Sequence, residues 1–264
     1  MKLLFKKMGY SALTTLAISA ATHAYADTTA ASSAAVSPAE RAKIESVVHD
    51  YLLAKPEIIV EAMQILQNRQ FEQAKQAMQK TEQNAPRYAH TLFNAPANMI
   101  TGNPKGSVTL VEFFDYQCPH CVDVVPTINN AIKANADLRV IYREWPIRGP
   151  VSEFASRAAI AAAAQGKYFT LHQALLTAGQ PLTQDSVLDI AKKAGLNVAQ
   201  LQKDMDDPQT DSQIKINVKL AQDLKLFGTP AFFIGRTNAT GGVTYVPGAV
   251  TQSQLQEAIS KASK

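Results

Sequence analysis

The sequence contains few cysteines: Cys118 and Cys121 are the only two, and two residues separate them. A disulfide-stabilised scaffold would instead place several bridges across long loops. One bridge that closes so short a loop stabilises the folded chain by only about 2 kcal/mol in the loop-entropy model. The pair is therefore better suited to redox chemistry than to holding a fold together.

Charged residues are also scarce, at 18% of the chain, while hydrophobic residues make up 46%. This composition is typical of a globular protein and argues against disorder. The formal net charge is +4, but Lys2, Lys6 and Lys7 account for three of the positive charges. The rest of the chain is close to neutral, which excludes an extensive basic surface for nucleic acid or anionic membranes.

The chain lacks an apolar run of the ~20 residues that a membrane-spanning helix needs. Its first three lysines are followed by an uncharged stretch of apolar and small residues from Met8 to Ala21, and then by Ala24-Tyr25-Ala26. This order is typical of a secretory signal peptide with a small-x-small cleavage site. We therefore predict a signal peptide over residues 1–26, in preference to a membrane anchor. The mature protein is expected in the periplasm, an oxidising compartment.

Residues 27–85 are predicted to form a short flexible start and then two helices. Residues 27–36 are rich in Ala, Ser and Thr, which is typical of a flexible terminus. Ser37, Pro38 and Glu40 then have the spacing of a helix start with a capping box. Apolar residues follow at helical spacing, first Ile44, Val47, Val48, Tyr51 and Leu52, and then Ile59, Met63 and Leu66.

These apolar faces are too small to form a core of their own. We therefore expect residues 37–85 to join two copies of the chain into a homodimer, the commonest symmetric assembly. Pro86 and Pro96 lie in a predicted linker over residues 86–106, which leads to a catalytic domain over residues 107–264.

From residue 107 the pattern becomes that of an α/β domain. An apolar, β-branched and aromatic run predicts a strand buried on both faces, and a helix and a second strand complete a βαβ unit. A long helical block follows, and then two short strands and a final helix. The expected ranges are 108–114, 119–134, 138–145, about 152–226, 231–235, 243–248 and 251–262.

The motif Cys118-Pro119-His120-Cys121 lies between the buried strand and the helix that follows it. Pro119 suits the first helical turn, whose amide donors have no partner within the helix. The sulfur of Cys118 is then expected near the positive end of the helix, which favours thiolate over thiol, and His120 adds a donor or a positive charge nearby. Because a stabilised thiolate leaves readily, the disulfide form is expected to be a strong oxidant.

Other chemistries fit the motif less well. A c-type haem site needs His directly after the second cysteine, and residue 122 is Val. A structural zinc site needs four ligands, and His49, His90 and His172 show no ligand-like spacing. No metal or organic cofactor is therefore expected.

The stretch Glu112-Phe113-Phe114-Asp115-Tyr116-Gln117, together with the Cys118–Cys121 motif, resembles the active-site region of DsbA-family thioredoxin-fold proteins. The helical block at about 152–226 resembles the helical insertion of that family, and Thr229-Pro230 resembles its cis-proline loop. The resemblance covers about residues 100–264. It implies an α/β fold: a thioredoxin-like sheet with a helical insertion, here preceded by an N-terminal helical extension like that of the longer, dimeric family members.

The resemblance also implies roles for individual residues. Cys118 is expected to be an exposed nucleophile, and Cys121 a deeper resolving thiol, with Pro119 and His120 between them. Glu112 matches the buried acid of thioredoxin-like proteins, while Thr229 and a cis Pro230 are expected to face Cys118 and to bind substrate. Thr before the cis-proline is also found in isomerase-type members.

Three functions remain open on the sequence alone. The chain could be an oxidase that forms disulfides in exported proteins, or an isomerase or reductase that is kept reduced; each would need a redox partner in the membrane. The third possibility is a peptide-binding chaperone in which the cysteines are incidental.

Overall fold

The computed structural model describes residues 36–179 and 181–264. The predicted signal peptide, 1–26, and all but the last residue of the predicted flexible segment, 27–36, lie outside these ranges. The chain divides into two compact units, one ending at Glu61 and one covering Ala62–Lys264.

The first unit begins with the helix expected from its capping sequence. Helix α1 covers Pro38–Ala54, and its start has the full capping box: the Ser37 hydroxyl accepts the Glu40 N–H, and the Glu40 carboxylate accepts the Ser37 N–H. No residue of α1 is buried. Helix α2 covers Glu57–Asn84 and continues into the second unit.

The second unit contains a mixed five-stranded sheet with the strand order β1-β3-β2-β4-β5. Strands β2 and β3 are parallel, as a βαβ unit requires, and the other neighbouring pairs are antiparallel. All seven residues of β2 are buried, which confirms the prediction from its continuous apolar run. The strands are β1 Ile100–Gly102, β2 Val108–Phe114, β3 Leu138–Glu144, β4 Ala231–Arg236 and β5 Thr244–Pro247.

Helices cover both faces of this sheet and form two hydrophobic cores. Alternate residues of β2 point into each: Leu110 and Phe114 join the core with α4, α10 and the insertion, whereas Val111 and Phe113 join the core with α3 and α9. The helices are α3 Ala89–Phe93, α4 Pro119–Ala134, α5 Pro150–Ala162, α6 Tyr168–Thr177, α7 Gln184–Lys193, α8 Val198–Met205, α9 Pro208–Asp223 and α10 Gln252–Ala262. Helices α5 to α9 are the predicted insertion between the two halves of the thioredoxin-like sheet.

Buried polar groups connect this insertion to the sheet. The Glu144 carboxylate accepts hydrogen bonds from Tyr168 at 2.5 Å and from Asn217 at 3.3 Å, and burial raises the pKa of Glu144 to about 7. The His172 Nδ1 lies 3.1 Å from the Tyr116 hydroxyl oxygen. Burial lowers the pKa of His172 to about 3, so this imidazole is neutral.

Residues 86–106 are not the separating linker that Pro86 and Pro96 suggest. Leu92 and Phe93 of α3 are buried in the second core, and β1 pairs with β3. Two buried arginines of β3 fix the segment: Arg139 donates to the Phe93 carbonyl at 2.6 Å, and Arg143 donates to the carbonyls at the end of α3 and just after it.

The end of α2 belongs to the same domain. The Thr81 hydroxyl is buried and lies 3.3 Å from the Lys225 carbonyl oxygen, and Ala85 is fully buried. The end of the helical extension predicted over 37–85 therefore packs with the second unit and is not part of a separate segment, because Thr81 and Ala85 are buried there.

Candidate active site

Cys118 lies where the buried strand ends and the active-site helix begins. It is the N-cap residue of α4, and Pro119 occupies the first helical position. The Cys118 N–H donates to the Asp115 carbonyl at 3.0 Å, and the Cys118 carbonyl accepts the Cys121 N–H at 3.0 Å. This turn holds Cys118 and Cys121 in the first helical turn, both as free thiols.

Cys118 is not the exposed nucleophile that the sequence predicts, because its side chain has 0% accessible surface. Its sulfur lies 3.3 Å from the Thr229 carbonyl oxygen, to which the thiol donates. Pro119 and His120 are exposed, so the sulfur lies just below the surface.

The environment of Cys118 stabilises its thiolate. The hydrogen bond from the Cys121 side chain is the largest cause and brings the pKa of Cys118 down to about 5, against the opposing effect of burial. Two donors that favour the thiolate lower the pKa further, namely the Thr229 side chain, whose hydroxyl has no partner in the thiol form, and the Cys121 backbone N–H, and the positive charge of Arg148 acts in the same direction. The direction agrees with that expected for a cysteine at a helix N-terminus.

Cys121 behaves in the opposite way. It is fully buried, and burial raises its pKa above the ordinary range for a thiol; the hydrogen bond to Cys118 and the negative charge of Glu112 act in the same direction. At neutral pH, Cys121 therefore keeps its proton while Cys118 is ionised. This asymmetry is what a nucleophilic thiolate and a resolving thiol require.

Glu112 is 1% exposed, and neither carboxylate oxygen has a hydrogen-bond partner within the described part of the chain. Burial, together with the nearby Cys118 thiolate, holds the pKa of Glu112 well above its usual range. The buried position expected from the sequence is therefore present, and the carboxyl is electrostatically coupled to both cysteines.

The Thr229–Pro230 segment faces Cys118 across the fold, 111 residues away in the chain. The peptide bond between them is cis, as the resemblance implies. The Thr229 hydroxyl is buried and meets no hydrogen-bond partner in this thiol form, as far as the described residues extend. It is therefore available to donate to the sulfur when Cys118 ionises.

His120 is less closely engaged with Cys118 than the sequence suggests. Its imidazole is exposed and lies 3.5 Å from the Asp123 carboxylate, one turn further along α4. It is not among the main causes of the Cys118 pKa shift. Because the imidazole lies beside Asp123, we expect any effect of His120 on the thiolate to be small.

Two residues of the site are not identifiable as such from sequence. Asp115 is buried and accepts hydrogen bonds from the loop that follows β3, and Arg148 lies in that loop. The only local feature that could have indicated a role for Asp115 is its position, as an acidic residue between a buried strand and a Cys-x-x-Cys pair. No local pattern indicates a role for Arg148. No group of three or more His, Cys, Asp or Glu side chains is arranged to hold a metal ion in residues 36–179 and 181–264.

Two known protein families match separate ranges of the chain. Residues 109–260 match the family described as DSBA-like thioredoxin domain. Residues 40–73 match the copper resistance protein ScsC N-terminal domain.

Solved structures agree with this assignment. The chain is 43% identical to a thioredoxin-like oxidoreductase from Silicibacter pomeroyi, with a TM-score of 0.60, and the match covers 67% of this chain and 97% of that one. It is 34% identical to BcfH from Salmonella enterica Typhimurium, with a TM-score of 0.62, over 86% of this chain and 97% of that one. The second match extends well beyond the catalytic domain.

Curated relatives match through a shared part only. The chain is 28% identical over 137 residues to the Na(+)/H(+) antiporter NhaA 3 of Salinispora tropica, which is 51% of this chain and 21% of that protein. The chain thus spans about a fifth of the length of such a relative. In the part of the chain that the structure covers, no helix has the length and apolarity of a membrane span.

Proposed function

Since the chain belongs to the DsbA-like thioredoxin family of thiol–disulfide oxidoreductases, we propose that it exchanges disulfides with exported proteins through Cys118 and Cys121. The observation that carries this proposal is the opposite ionisation of the two thiols, with the pKa of Cys118 at about 5 and that of Cys121 raised. An inert pair would gain nothing from such an arrangement.

In the oxidising direction, the enzyme starts with a Cys118–Cys121 disulfide. A substrate thiolate attacks the Cys118 sulfur, forms a mixed disulfide and releases Cys121 as a thiolate. The second substrate thiolate then attacks the first substrate sulfur, the one bonded to Cys118. This forms the substrate disulfide and releases Cys118 as a thiolate. Two electrons pass from the substrate to the enzyme, and a redox partner in the membrane must remove them before the next cycle.

In the isomerising direction, the reduced enzyme acts and no net electrons are transferred. The Cys118 thiolate attacks a substrate disulfide and forms a mixed disulfide, and the released substrate thiolate then attacks another disulfide of the same substrate. A substrate thiolate freed by this exchange attacks the substrate sulfur of the mixed disulfide, which forms a new substrate disulfide and releases Cys118 as a thiolate. If no productive exchange follows, Cys121 attacks Cys118 and frees the reduced substrate.

Glu112 is suited to moving the proton of Cys121 in these steps. Cys121 must lose its proton to attack and regain one when it is released, and it is shielded from water. A buried carboxyl whose pKa is raised can accept and return a proton. Thr229 and Pro230 are proposed to bind an extended substrate segment beside Cys118, in the manner of an added strand.

The direct test is to trap the mixed disulfide. In Cys121→Ser, substrate bound to Cys118 cannot be released by the resolving thiol, so exported proteins with cysteines should accumulate in a complex that a reductant dissolves. Cys118→Ser is the matched control and should trap none. Equal recovery from both variants, or from neither, would contradict the proposed roles.

Oxidase and isomerase roles are separated by the redox state of the enzyme in cells. An oxidase should be found mainly as the disulfide, and an isomerase mainly as the dithiol. The Thr before the cis-proline favours some isomerase activity by resemblance. A chaperone with incidental cysteines would still suppress aggregation when both cysteines are replaced by Ser.

The N-terminal helices support a proposal of self-association. Eleven large hydrophobic side chains between residues 44 and 71 are about half or more exposed: Ile44, Val47, Val48, Tyr51, Leu53, Ile59, Val60, Met63, Ile65, Leu66 and Phe71. Burying each would contribute about 1.5–3 kcal/mol. A second copy of the same segment is the simplest cover, so we expect a homodimer, located in the periplasm, whose active sites can act on one bound substrate.

A further inference from the structure

Asp115 is the most heavily hydrogen-bonded side chain near the cysteines. Its carboxylate is fully buried and accepts four hydrogen bonds, all between 2.7 and 3.0 Å. Oδ1 accepts from the Gln117 N–H and the Ser152 hydroxyl, and Oδ2 accepts from the N–H groups of Ile147 and Arg148. A carboxylate with its lone pairs so occupied is fixed in place.

These bonds join two segments that are distant in the sequence. Gln117 precedes Cys118 directly, whereas Ile147 and Arg148 lie in the loop between β3 and α5, and Ser152 is in the first turn of α5. The backbone of Asp115 also accepts the Cys118 N–H. Asp115 therefore ties the turn that contains Cys118 to the loop that contains Arg148.

Arg148 is exposed, and its backbone N–H is held by Asp115 at 3.0 Å. The ionisable groups coupled to the Cys118 sulfur are Cys121 of α4, Glu112 of β2 and Arg148 of this loop. Of these, only Arg148 brings a positive charge. A loop that was free to move would place that charge further from the sulfur, where distance and solvent screening weaken its effect on the thiolate.

We propose that Asp115 is a positioning residue for thiol–disulfide exchange: its carboxylate holds the Arg148 loop against the turn of Cys118, so that the Arg148 charge stays near the sulfur. The inference deepens the proposed function and rests on it for its catalytic meaning. The positioning itself is a property of the free enzyme.

The sign of one substitution separates positioning from a simple charge effect. Asp115 is itself negative, so its charge alone disfavours a nearby thiolate, and Asp115→Asn would then lower the pKa of Cys118. If Asp115 acts by positioning, the amide presents N–H groups to backbone donors and loosens the loop. The pKa of Cys118 then rises from about 5 by roughly one unit, which is a tenfold loss of thiolate at a pH below the midpoint.

The experiment measures the alkylation rate of Cys118 against pH in the reduced full-length protein, with the modified residue identified by mass. It compares wild type, Asp115→Asn, Arg148→Met and the double variant. Arg148→Met should raise the pKa of Cys118 alone, but should have little further effect once Asp115 is replaced, because coupled residues are not additive. A lowered or unchanged pKa in Asp115→Asn, or an equal Arg148→Met effect in both backgrounds, overturns the proposal.

Two further variants keep the test decisive. Asp137→Asn is the control: Asp137 also accepts hydrogen bonds from a backbone N–H and a hydroxyl, both of Ser107 at the other end of β2. Replacing Asp137 should leave the pKa of Cys118 unchanged.

Ser152→Ala is the alternative if Asp115→Asn does not fold. It removes one of the four donors to Asp115 and should raise the pKa of Cys118 in the same direction; no rise overturns the proposal. Since no substrate is present, a failed trapping experiment with this pattern intact would count against the function and not against the positioning.

Discussion

Replacing Glu112 should make the protein more stable and less active. Its carboxyl is 1% exposed, without a hydrogen-bond partner among residues 36–179 and 181–264, and its pKa is held well above the ordinary 4.5 by burial. Glu112→Leu replaces it with an apolar side chain of similar volume in a hydrophobic core. Glu112→Gln removes the ionisation but keeps an unpaired polar group.

The sign of the pH dependence follows from proton linkage. Because the folded state holds the Glu112 proton more tightly than the unfolded state does, this group's contribution to stability is fully present below pH 4.5 and is lost as pH rises towards the folded pKa. Glu144, with a pKa raised to about 7, acts in the same direction, and His172, with a pKa lowered to about 3, acts in the opposite one. Both are present in wild type and variant, so the difference between the two isolates Glu112.

At pH 8 we expect Glu112→Leu to raise the free energy of unfolding by about 1–3 kcal/mol, the cost of a buried polar group without a partner. For a domain of this size, that is about 2–4 °C in Tm for each kcal/mol. At pH 4 the carboxyl is largely protonated in both the folded and the unfolded state, so only the cost of the unpaired polar group remains, and the gain should be smaller than at pH 8 by the proton-linkage contribution. Glu112→Gln should lose the pH dependence without the full gain.

The assay is denaturant unfolding of the disulfide form, in which neither cysteine titrates, at a series of pH values from 4 to 8. In parallel, Glu112→Gln should slow release of the mixed disulfide by Cys121 by about tenfold or more. A pH dependence that is the same in wild type and Glu112→Leu, or a variant that is less stable at pH 8, would show that Glu112 has a partner and would refute the reasoning.

His120→Ala should make the reduction potential more negative by no more than about 30 mV, which corresponds to 1.4 kcal/mol, because His120 is exposed and lies beside Asp123. Asp123→Asn should shift the reduction potential in the opposite direction. A glutathione titration measures both shifts. If the chain is the proposed homodimer, Ile59→Glu combined with Leu66→Glu should convert it to monomers that still oxidise dithiols but no longer refold scrambled disulfides, whereas Gln64→Glu on the same helix should do neither. Mass in solution at micromolar concentration checks this, and a wild type that is already monomeric would exclude the assembly.

The sequence predicts the local features of the chain well, because each depends on neighbouring residues. The capping box at Ser37, the buried strand β2 and the helix that starts at Pro119 all have signals within a few positions. The same holds for placing a Cys-x-x-Cys pair in the first turn of a helix. Resemblance adds the insertion and the cis bond before Pro230.

Sequence reasoning fails where a residue's environment comes from distant parts of the chain. Pro86 and Pro96 suggest a linker over 86–106, but Arg143 of β3 donates hydrogen bonds to carbonyl groups of this segment. Gly235 of β4 leaves room for the Phe93 ring, which a Cβ at position 235 would approach to 2.8 Å. Neither contact has a counterpart in the local pattern.

The sequence by itself determined that this protein has a Cys-x-x-Cys pair at a helix start after a buried strand, since those features need only neighbouring residues and their periodicity. Only the tertiary structure decided how the two thiols differ. Thr229 packs against Cys118 from 111 positions away, and burial beside Glu112 keeps the proton on Cys121. Ionisation depends on the charges, donors and solvent around an atom, and these are assembled only when strands and loops far apart in the chain meet.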